Sequence, residues 1–135
     1  MALTIKDSGA STKYMGMAGA GTNTDPYYPC PYLPVSGYTA SVTGTSDTTV
    51  IAAPGTGLYL YVTSFNVSNS HASSGTFINI KDGTTTVRTL YIGPSQTVAL
   101  TFPTPIKLTV NTALKFAAET GVTNIRASAT GYTAA

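Results

Sequence analysis

The side chains that could carry acid–base or metal chemistry are few in this chain. Its five carboxylates belong to Asp7, Asp25, Asp47, Asp82 and Glu119. Each stands beside a turn, an irregular segment or the end of an expected strand, with Asp47 and Asp82 explained by turn chemistry. Hydrolysis by a general acid and a general base needs two carboxylates held across a cleft. The sequence therefore predicts no such pair.

One histidine and one cysteine complete the reactive set. His71 lies in the polar run 68–74, where we expect an exposed loop side chain. A zinc site needs three or four Cys, His or carboxylate ligands, which these two residues do not supply. Cys30, between Pro29 and Pro31, is either a small apolar side chain or an intermolecular bridge or reactive thiol. We predict no catalytic residue, no cofactor-binding residue and no metal ligand.

Two further patterns argue against phosphate or nucleic-acid binding. The glycine-rich run 16–21 lacks the Gly-Lys-Ser/Thr of a phosphate loop and is better explained as a hinge. The seven Lys and Arg residues are scattered, with no two closer than seven positions, whereas nucleic-acid binding needs several on one surface. No nucleic-acid partner is expected.

Composition limits the class of protein. The chain has 135 residues, enough for one domain, and its net charge is +2. Only 9% of the residues are charged, against about 25% in a typical soluble domain. Threonine is abundant instead, with 25 residues. Charge-driven disorder is excluded, and no run approaches the roughly 20 apolar residues of a membrane span. No secretory signal is visible at the N-terminus, so we expect synthesis in a cytoplasm without export by that route.

From about Gly37 onward, the hydrophobic period is two, which indicates β-strands. Along 58–65, Leu58, Leu60, Val62 and Ser64 alternate with Tyr59, Tyr61, Thr63 and Phe65. Asp82-Gly83 between two such runs predicts a type I′ hairpin, whose central residues both need positive φ. The eight expected strands are 48–52, 58–65, 77–80, 87–92, 96–102, 106–110, 113–119 and 124–132.

This spacing predicts an all-β protein, a single antiparallel β-sandwich over residues 37–135. The inward-facing side chains are expected to be Leu58, Leu60, Val62, Ile78, Ile80, Leu90, Ile92, Val98, Leu100, Phe102, Leu108, Leu114, Phe116, Ile125 and Ala127.

Residues 1–36 are irregular, without this alternation, and are predicted to form an extended N-terminal arm. Four prolines within 26–34 exclude a helix or a central strand, because proline lacks an amide donor and restricts the residue before it. A proline-braced segment loses little entropy on docking. We therefore expect the arm to bind a partner through Asp25, Pro26, Tyr27, Tyr28, Pro29, Tyr32 and Leu33.

Tyrosine is enriched, with nine residues and no tryptophan, a bias typical of interfaces. Tyr59, Tyr61 and Tyr91 are equally explained as side chains that fill the edge of the core. Both interpretations stay open at this point.

Several segments together resemble a known group of proteins. They are 20–29, with Asp25-Pro-Tyr-Tyr-Pro29, then 46–64, 80–84, 102–106 and 127–132. They resemble small virion structural proteins of tailed bacteriophages, in particular the jelly-roll decoration (cement) proteins of the capsid. The resemblance covers most of the chain and rests on the residue composition of these segments and on their turn motifs. Similar sequences occur in tail and fibre components.

The resemblance implies a jelly-roll fold and a homotrimer that binds the major capsid protein on the capsid exterior, where subunits meet. It further implies that Asp25–Pro29 reaches a neighbouring subunit or the capsid, that Asp82-Gly83 is a hairpin tip and that Pro103-Thr-Pro105 breaks a strand. Neither an enzyme nor a membrane protein is expected. The alternative is a tail or fibre component that binds a receptor or glycan through exposed tyrosines.

Overall fold

The structure is a computed structural model. It describes residues 33–39, 41–42, 44–121 and 124–135, with Thr39 as backbone alone. It also describes the backbone of four short strands, at 5–6, 12–13, 17–18 and 28–29. The chain divides into two compact units, Met1–Leu33 and Pro34–Ala135. In the first unit, β1 (Ile5–Lys6) pairs with β2 (Thr12–Lys13), and β3 (Met17–Ala18) pairs with β4 (Tyr28–Pro29), both antiparallel.

The larger unit is built from eight strands, and no helix occurs among its described residues. The strands are β5 (Leu33–Thr39), β6 (Thr48–Ile51), β7 (Tyr59–Asn69), β8 (Thr76–Asp82), β9 (Thr85–Ile92), β10 (Gln96–Lys107), β11 (Leu114–Ala118) and β12 (Ile125–Ala134). They form two antiparallel sheets of four strands. The first sheet has the order β10-β7-β12-β5 and the second sheet β6-β11-β8-β9. The prediction of an all-β sandwich is confirmed.

The identity of the eight strands differs from the prediction in two places. The segment Leu33–Thr39 forms a strand where the sequence predicted none before residue 48, and it spans the expected boundary between the arm and the sandwich at residues 36 and 37. The predicted strands 96–102 and 106–110 are instead parts of one strand, β10, that ends at Lys107. Pro103 and Pro105 do not end the strand; they fall in a shift of the register between Thr101 and Ile106.

The hairpin between β8 and β9 is confirmed, but its turn type differs. Asp82 pairs with Thr85, so the two central residues are Gly83 and Thr84 rather than Asp82 and Gly83. Only Gly83 has a positive φ, of 61°. That pattern fits a type II′ turn, which needs glycine at its first central position.

The inner faces of the two sheets enclose one hydrophobic core. Its largest fully buried apolar side chains are Phe116, Leu60, Ile78, Ile80, Ile92, Leu108, Leu114, Ile125, Val42, Val62 and Val67. Of the predicted inward set, Leu58, Leu90, Val98 and Phe102 are half-buried and Leu100 is exposed. Leu90 and Phe102 still pack against the core. Leu90, Val98, Leu100 and Phe102 lie on β9 and β10, edge strands with a neighbour on one side only, which explains their exposure; Leu58 lies just before β7.

A β-bulge in the middle of β7 reverses the alternation of its side chains. Both neighbouring strands pair with Ser64 and then with Val62, so Thr63 is skipped. Such an extra residue moves every later side chain to the opposite face. Phe65 is therefore buried in the core, and Ser64 lies on the outer face. The predicted positions of these two residues were wrong for this reason.

Candidate binding surfaces

The bulge divides the outer face of the first sheet into two chemically different halves. On the Tyr59 side, β7 presents Tyr59 and Tyr61, with Lys107 of β10 opposite Tyr61 on one side and Tyr132 of β12 opposite it on the other. We call Tyr59, Tyr61, Tyr132 and Lys107 the tyrosine cluster. These residues come together because successive outward positions of three adjacent strands share one level of the sheet.

Contacts inside the tyrosine cluster are close. The rings of Tyr61 and Tyr132 stack with centroids 4.9 Å apart and planes 9° from parallel. The Lys107 ammonium lies 3.7 Å from the centroid of Tyr59 and 5.7 Å from that of Tyr61. A cation over an aromatic ring at an accessible site is worth about 0.5–1 kcal/mol. The cluster is thus a surface of three half-buried tyrosine rings, with their hydroxyl groups, and one exposed cation.

Beyond the bulge, the same outer face forms a shallow depression with a volume of about 240 Å³. Two rows of mostly small side chains, five of the six polar, cross the sheet here, and Phe65, Leu100 and Ala129 complete the lining. The rows are Thr101, Ser64 and Thr130, and Ala99, Asn66 and Ser128. We call it the hydroxyl depression. The Ser64 and Thr130 hydroxyl groups are hydrogen-bonded at 2.6 Å, and Thr63 donates to the Thr130 carbonyl at 3.1 Å. The depression offers donors and acceptors but no net charge.

The outer face of the second sheet carries an exposed aromatic pair. Phe77 of β8 is opposite Tyr91 of β9, and their rings meet edge to face with centroids 5.1 Å apart. Phe77 is 47% exposed and Tyr91 is 53% exposed. We call these two residues the aromatic pair. Tyr91, for which the sequence left two interpretations open, is thus a surface residue, and its partner Phe77 was not singled out.

Charged groups on this face are largely occupied by neighbours. The Lys81 ammonium lies 2.6 Å from the Asp47 carboxylate, and Glu119 accepts a hydrogen bond of 3.4 Å from the Asn79 amide. Asn79 in turn accepts a hydrogen bond of 2.7 Å from the Thr89 hydroxyl. Asp47 therefore forms an ion pair with Lys81 of β8, an interaction that its assignment to a turn did not predict.

A seam of mixed apolar and polar lining opens between β9 and β10, which are edge strands of opposite sheets. The opening has a volume of about 280 Å³ and is lined by Phe65, Ile80, Val87, Arg88, Thr89, Leu90, Leu100 and Phe102. Val87 and Leu100 are each 40% exposed there. The Arg88 guanidinium lies 5.4 Å from the centroid of the Phe102 ring. The one charged side chain that lines the seam therefore packs over an aromatic ring of the same chain.

Asp82 forms hydrogen bonds that connect two segments of the fold. One oxygen of Asp82, Oδ2, accepts hydrogen bonds from the Thr109 amide at 2.8 Å and from the Thr109 hydroxyl at 2.6 Å. The other, Oδ1, is buried without a hydrogen-bond partner. Asp82 thus ties the end of β8 to the segment after β10, beyond the turn role expected for it.

His71 is half-buried rather than exposed. Its Nδ1 accepts hydrogen bonds from the amides of Ser73 and Ser74, at 3.3 and 3.0 Å. The imidazole therefore fixes the loop that follows β7. Across the described residues, no group of three or more His, Cys, Asp or Glu side chains is placed to hold a metal ion.

The predicted arm residues are mostly outside what the structure describes. Asp25, Pro26, Tyr27 and Tyr32 are not among the described residues, and neither is Cys30. Tyr28 and Pro29 form β4, without a description of their side chains. Leu33 begins β5 and is 48% exposed. The assignment of these residues to partner binding stays a prediction.

The chain matches no protein-family model, and no curated protein is significantly similar to it. Within the part of the chain that the structure describes, no helix has the length and apolar character to cross a membrane.

Proposed function

We propose that this protein is a non-enzymatic structural protein of a tailed-bacteriophage virion, a decoration protein that binds the outside of the capsid where subunits meet. The observation that carries the proposal is the aromatic pair: Phe77 and Tyr91 stand about half exposed on a rigid, charge-poor sheet. Exposed aromatic side chains of this kind are typical contacts between proteins.

The low charge of the surface supports the same function. Attachment through apolar and hydroxyl contacts depends weakly on salt, whereas attachment through ion pairs is screened. Lys81, Lys107 and Arg88 are each held against a carboxylate or a ring of their own chain. In this proposal the protein stabilises the shell by contacting several subunits at once, because each further contact is then intramolecular.

The jelly-roll topology, the homotrimer and the arm belong to this proposal. The resemblance of 20–34 and 46–133 to decoration proteins supports them. In this account Asp25–Pro29 and Tyr32-Leu33 reach the major capsid protein or a neighbouring copy, and the compact sheets carry the aromatic pair.

Co-sedimentation with empty capsid shells tests the proposal. We expect the wild-type protein to pellet with shells and Phe77→Ser/Tyr91→Ser to pellet at least about tenfold less, which corresponds to about 1.4 kcal/mol of binding free energy. Val110→Ser is the matched control, because Val110 is also exposed but lies after β10, outside the aromatic pair. Failure of the wild type to bind shells, or equal binding by the double variant, contradicts the proposal.

A second candidate, a tail or fibre module that binds glycans, is favoured by the outer face of the first sheet. The tyrosine cluster and the hydroxyl depression adjoin across the bulge, and sugars are bound by aromatic stacking together with hydrogen bonds to their hydroxyl groups. Binding of the isolated protein to a glycan array, lost in Tyr61→Ser and in Asn66→Ala, would support this candidate. Absence of glycan binding by the wild type would eliminate it.

A further inference from the structure

One charged side chain lies on the inner face of a sheet, where the pattern of the strands predicts apolar residues. Along β9, Leu90 is opposite Ile78 of β8, and Arg88 is opposite Ile80. Residues directly opposite each other share a face of the sheet, and both isoleucines are fully buried in the core. A departure of this kind from the local pattern is often a functional feature, because a charge at an inward position is unfavourable by itself.

The Arg88 guanidinium packs over an aromatic ring but has no counter-charge. It lies 5.4 Å from the centroid of Phe102, which belongs to β10 of the opposite sheet. A guanidinium on a ring uses its flat face, so the N–H groups around its rim stay available to an acceptor. Among the residues that the structure describes, the one ion pair joins Lys81 and Asp47, and no carboxylate lies within ion-pair distance of Arg88.

Beside Arg88, the seam between β9 and β10 opens toward the core. Phe65 and Ile80, both buried, form part of its lining, and Leu100 is partly exposed there. The volume of about 280 Å³ is just below the roughly 300–1,000 Å³ of typical small-molecule sites. Arg88 is the one charged side chain among the described residues that line the opening. The seam therefore joins a small concave surface, apolar in part, to a single unpaired positive charge.

We propose that this opening binds a small carboxylate that carries a short apolar chain. The carboxylate pairs with the rim N–H groups of Arg88, because the planar guanidinium matches a carboxylate with two parallel hydrogen bonds. The chain lies against Leu90, Leu100 and Phe102 and removes apolar surface from water. One guanidinium balances one negative charge, which fits a carboxylate better than a phosphate group with nearly two.

The inference does not rest on the proposed function, and titration of the full-length protein with hexanoate tests it without a capsid. The backbone amide signals that shift in NMR spectra should be those of Arg88–Leu90 and Leu100–Phe102. Hexanol has the same chain without the charge. It should bind at least about threefold more weakly than hexanoate, in line with the contribution of a partly exposed ion pair.

Three variants separate the contribution of the charge from that of the apolar chain. Arg88→Gln should bind hexanoate at least about threefold more weakly than the wild type and hexanol equally well. Arg126→Gln is the matched control, because Arg126 is an exposed arginine of β12 outside the seam, and it should leave hexanoate binding unchanged. Leu100→Ser removes part of the apolar lining and should weaken the binding of both compounds.

Three results would each overturn the inference. They are a wild type in which hexanoate shifts no amide of the seam, a wild type that binds hexanol as tightly as hexanoate, and an Arg88→Gln variant that binds hexanoate like the wild type. The last result would leave Arg88 as an inward charge that only discourages strand addition at the edge of the sheet. The comparison of hexanoate with hexanol uses the wild type alone, so it decides the matter even if a variant does not fold.

Discussion

Gly131 lies so close to Tyr61 across the first sheet that a β-carbon on Gly131 would stand 2.0 Å from the Tyr61 carbonyl oxygen. This contact is at the bulge, where β12 pairs Thr130 with Ser64 and Gly131 with Val62. The absence of a side chain at residue 131 is therefore what lets the two strands approach where the register shifts. The bulge in turn separates the tyrosine cluster from the hydroxyl depression.

Gly131→Ala should destabilise the protein, because the backbone of one strand must move to relieve the clash. We expect a loss of about 2–3 kcal/mol in the free energy of unfolding, the range of overpacking substitutions. Gly44→Ala is the matched control, since its β-carbon would have only ordinary contact, with the Ser46 amide at 3.8 Å. Urea denaturation of both variants measures the difference; equal stabilities would show that the contact is not tight.

Asn69, buried at the end of β7, should be intolerant of even an isosteric change. Its amide nitrogen donates to the carbonyls of Ser74 and Gly93, at 2.8 and 2.9 Å, and its oxygen accepts from the His71 amide at 2.9 Å. Asn69→Asp faces carboxylate oxygen toward two carbonyls and should cost at least about 2 kcal/mol. Thermal denaturation checks this, and an unchanged melting temperature at neutral pH would contradict the hydrogen-bond assignment.

Asp82 should matter more for stability than Asp47, although both are partly accessible carboxylates. Asp82→Ala removes the acceptor of two hydrogen bonds from Thr109 and should cost about 1–3 kcal/mol. Asp47→Ala breaks a surface ion pair with Lys81 and should cost less than about 1 kcal/mol. Chemical denaturation ranks the two variants; the reverse order would show that the link to Thr109 contributes little.

Substitution of a core phenylalanine should cost far more stability than substitution of a phenylalanine on the proposed binding surface. Phe116 is fully buried and meets Phe65 edge to face, with centroids 5.7 Å apart, so Phe116→Ala should cost about 3–5 kcal/mol. Phe77→Ala, on the surface, should cost less than about 1 kcal/mol. Differential scanning calorimetry of the two variants tests this contrast. A large loss with Phe77→Ala would assign Phe77 a structural role and remove it as a probe of binding.

The fold class followed from the sequence because alternation and turn residues are local signals. The hairpin at Asp82-Gly83 and the ten fully buried members of the predicted core show how far such signals reach. Phe65 shows the limit of these local signals. Strict alternation predicts that its side chain lies on the outer face, but the unpaired residue Thr63 shifts the alternation and places Phe65 in the core. A bulge is set by pairing with neighbouring strands, so the sequence of β7 alone does not contain it.

The binding surfaces were harder to predict than the fold. Tyr59, Tyr61 and Tyr91 stood out by residue type, but Tyr132 and Lys107 join the tyrosine cluster only through pairing between strands distant in sequence. Phe77 was left unassigned for the same reason, because its exposure depends on which face of β8 packs on the core. Val42 in the core and β5 among the strands were missed where proline, serine and glycine weaken the periodic pattern.

Electron cryomicroscopy of the intact virion that contains this protein tests the central claim most directly. The account predicts density for the β-sandwich on the outside of the head, at the junctions between capsid subunits, with the aromatic pair of β8 and β9 facing the shell. Density confined to the tail or its fibres, or a head without any such density, would contradict it.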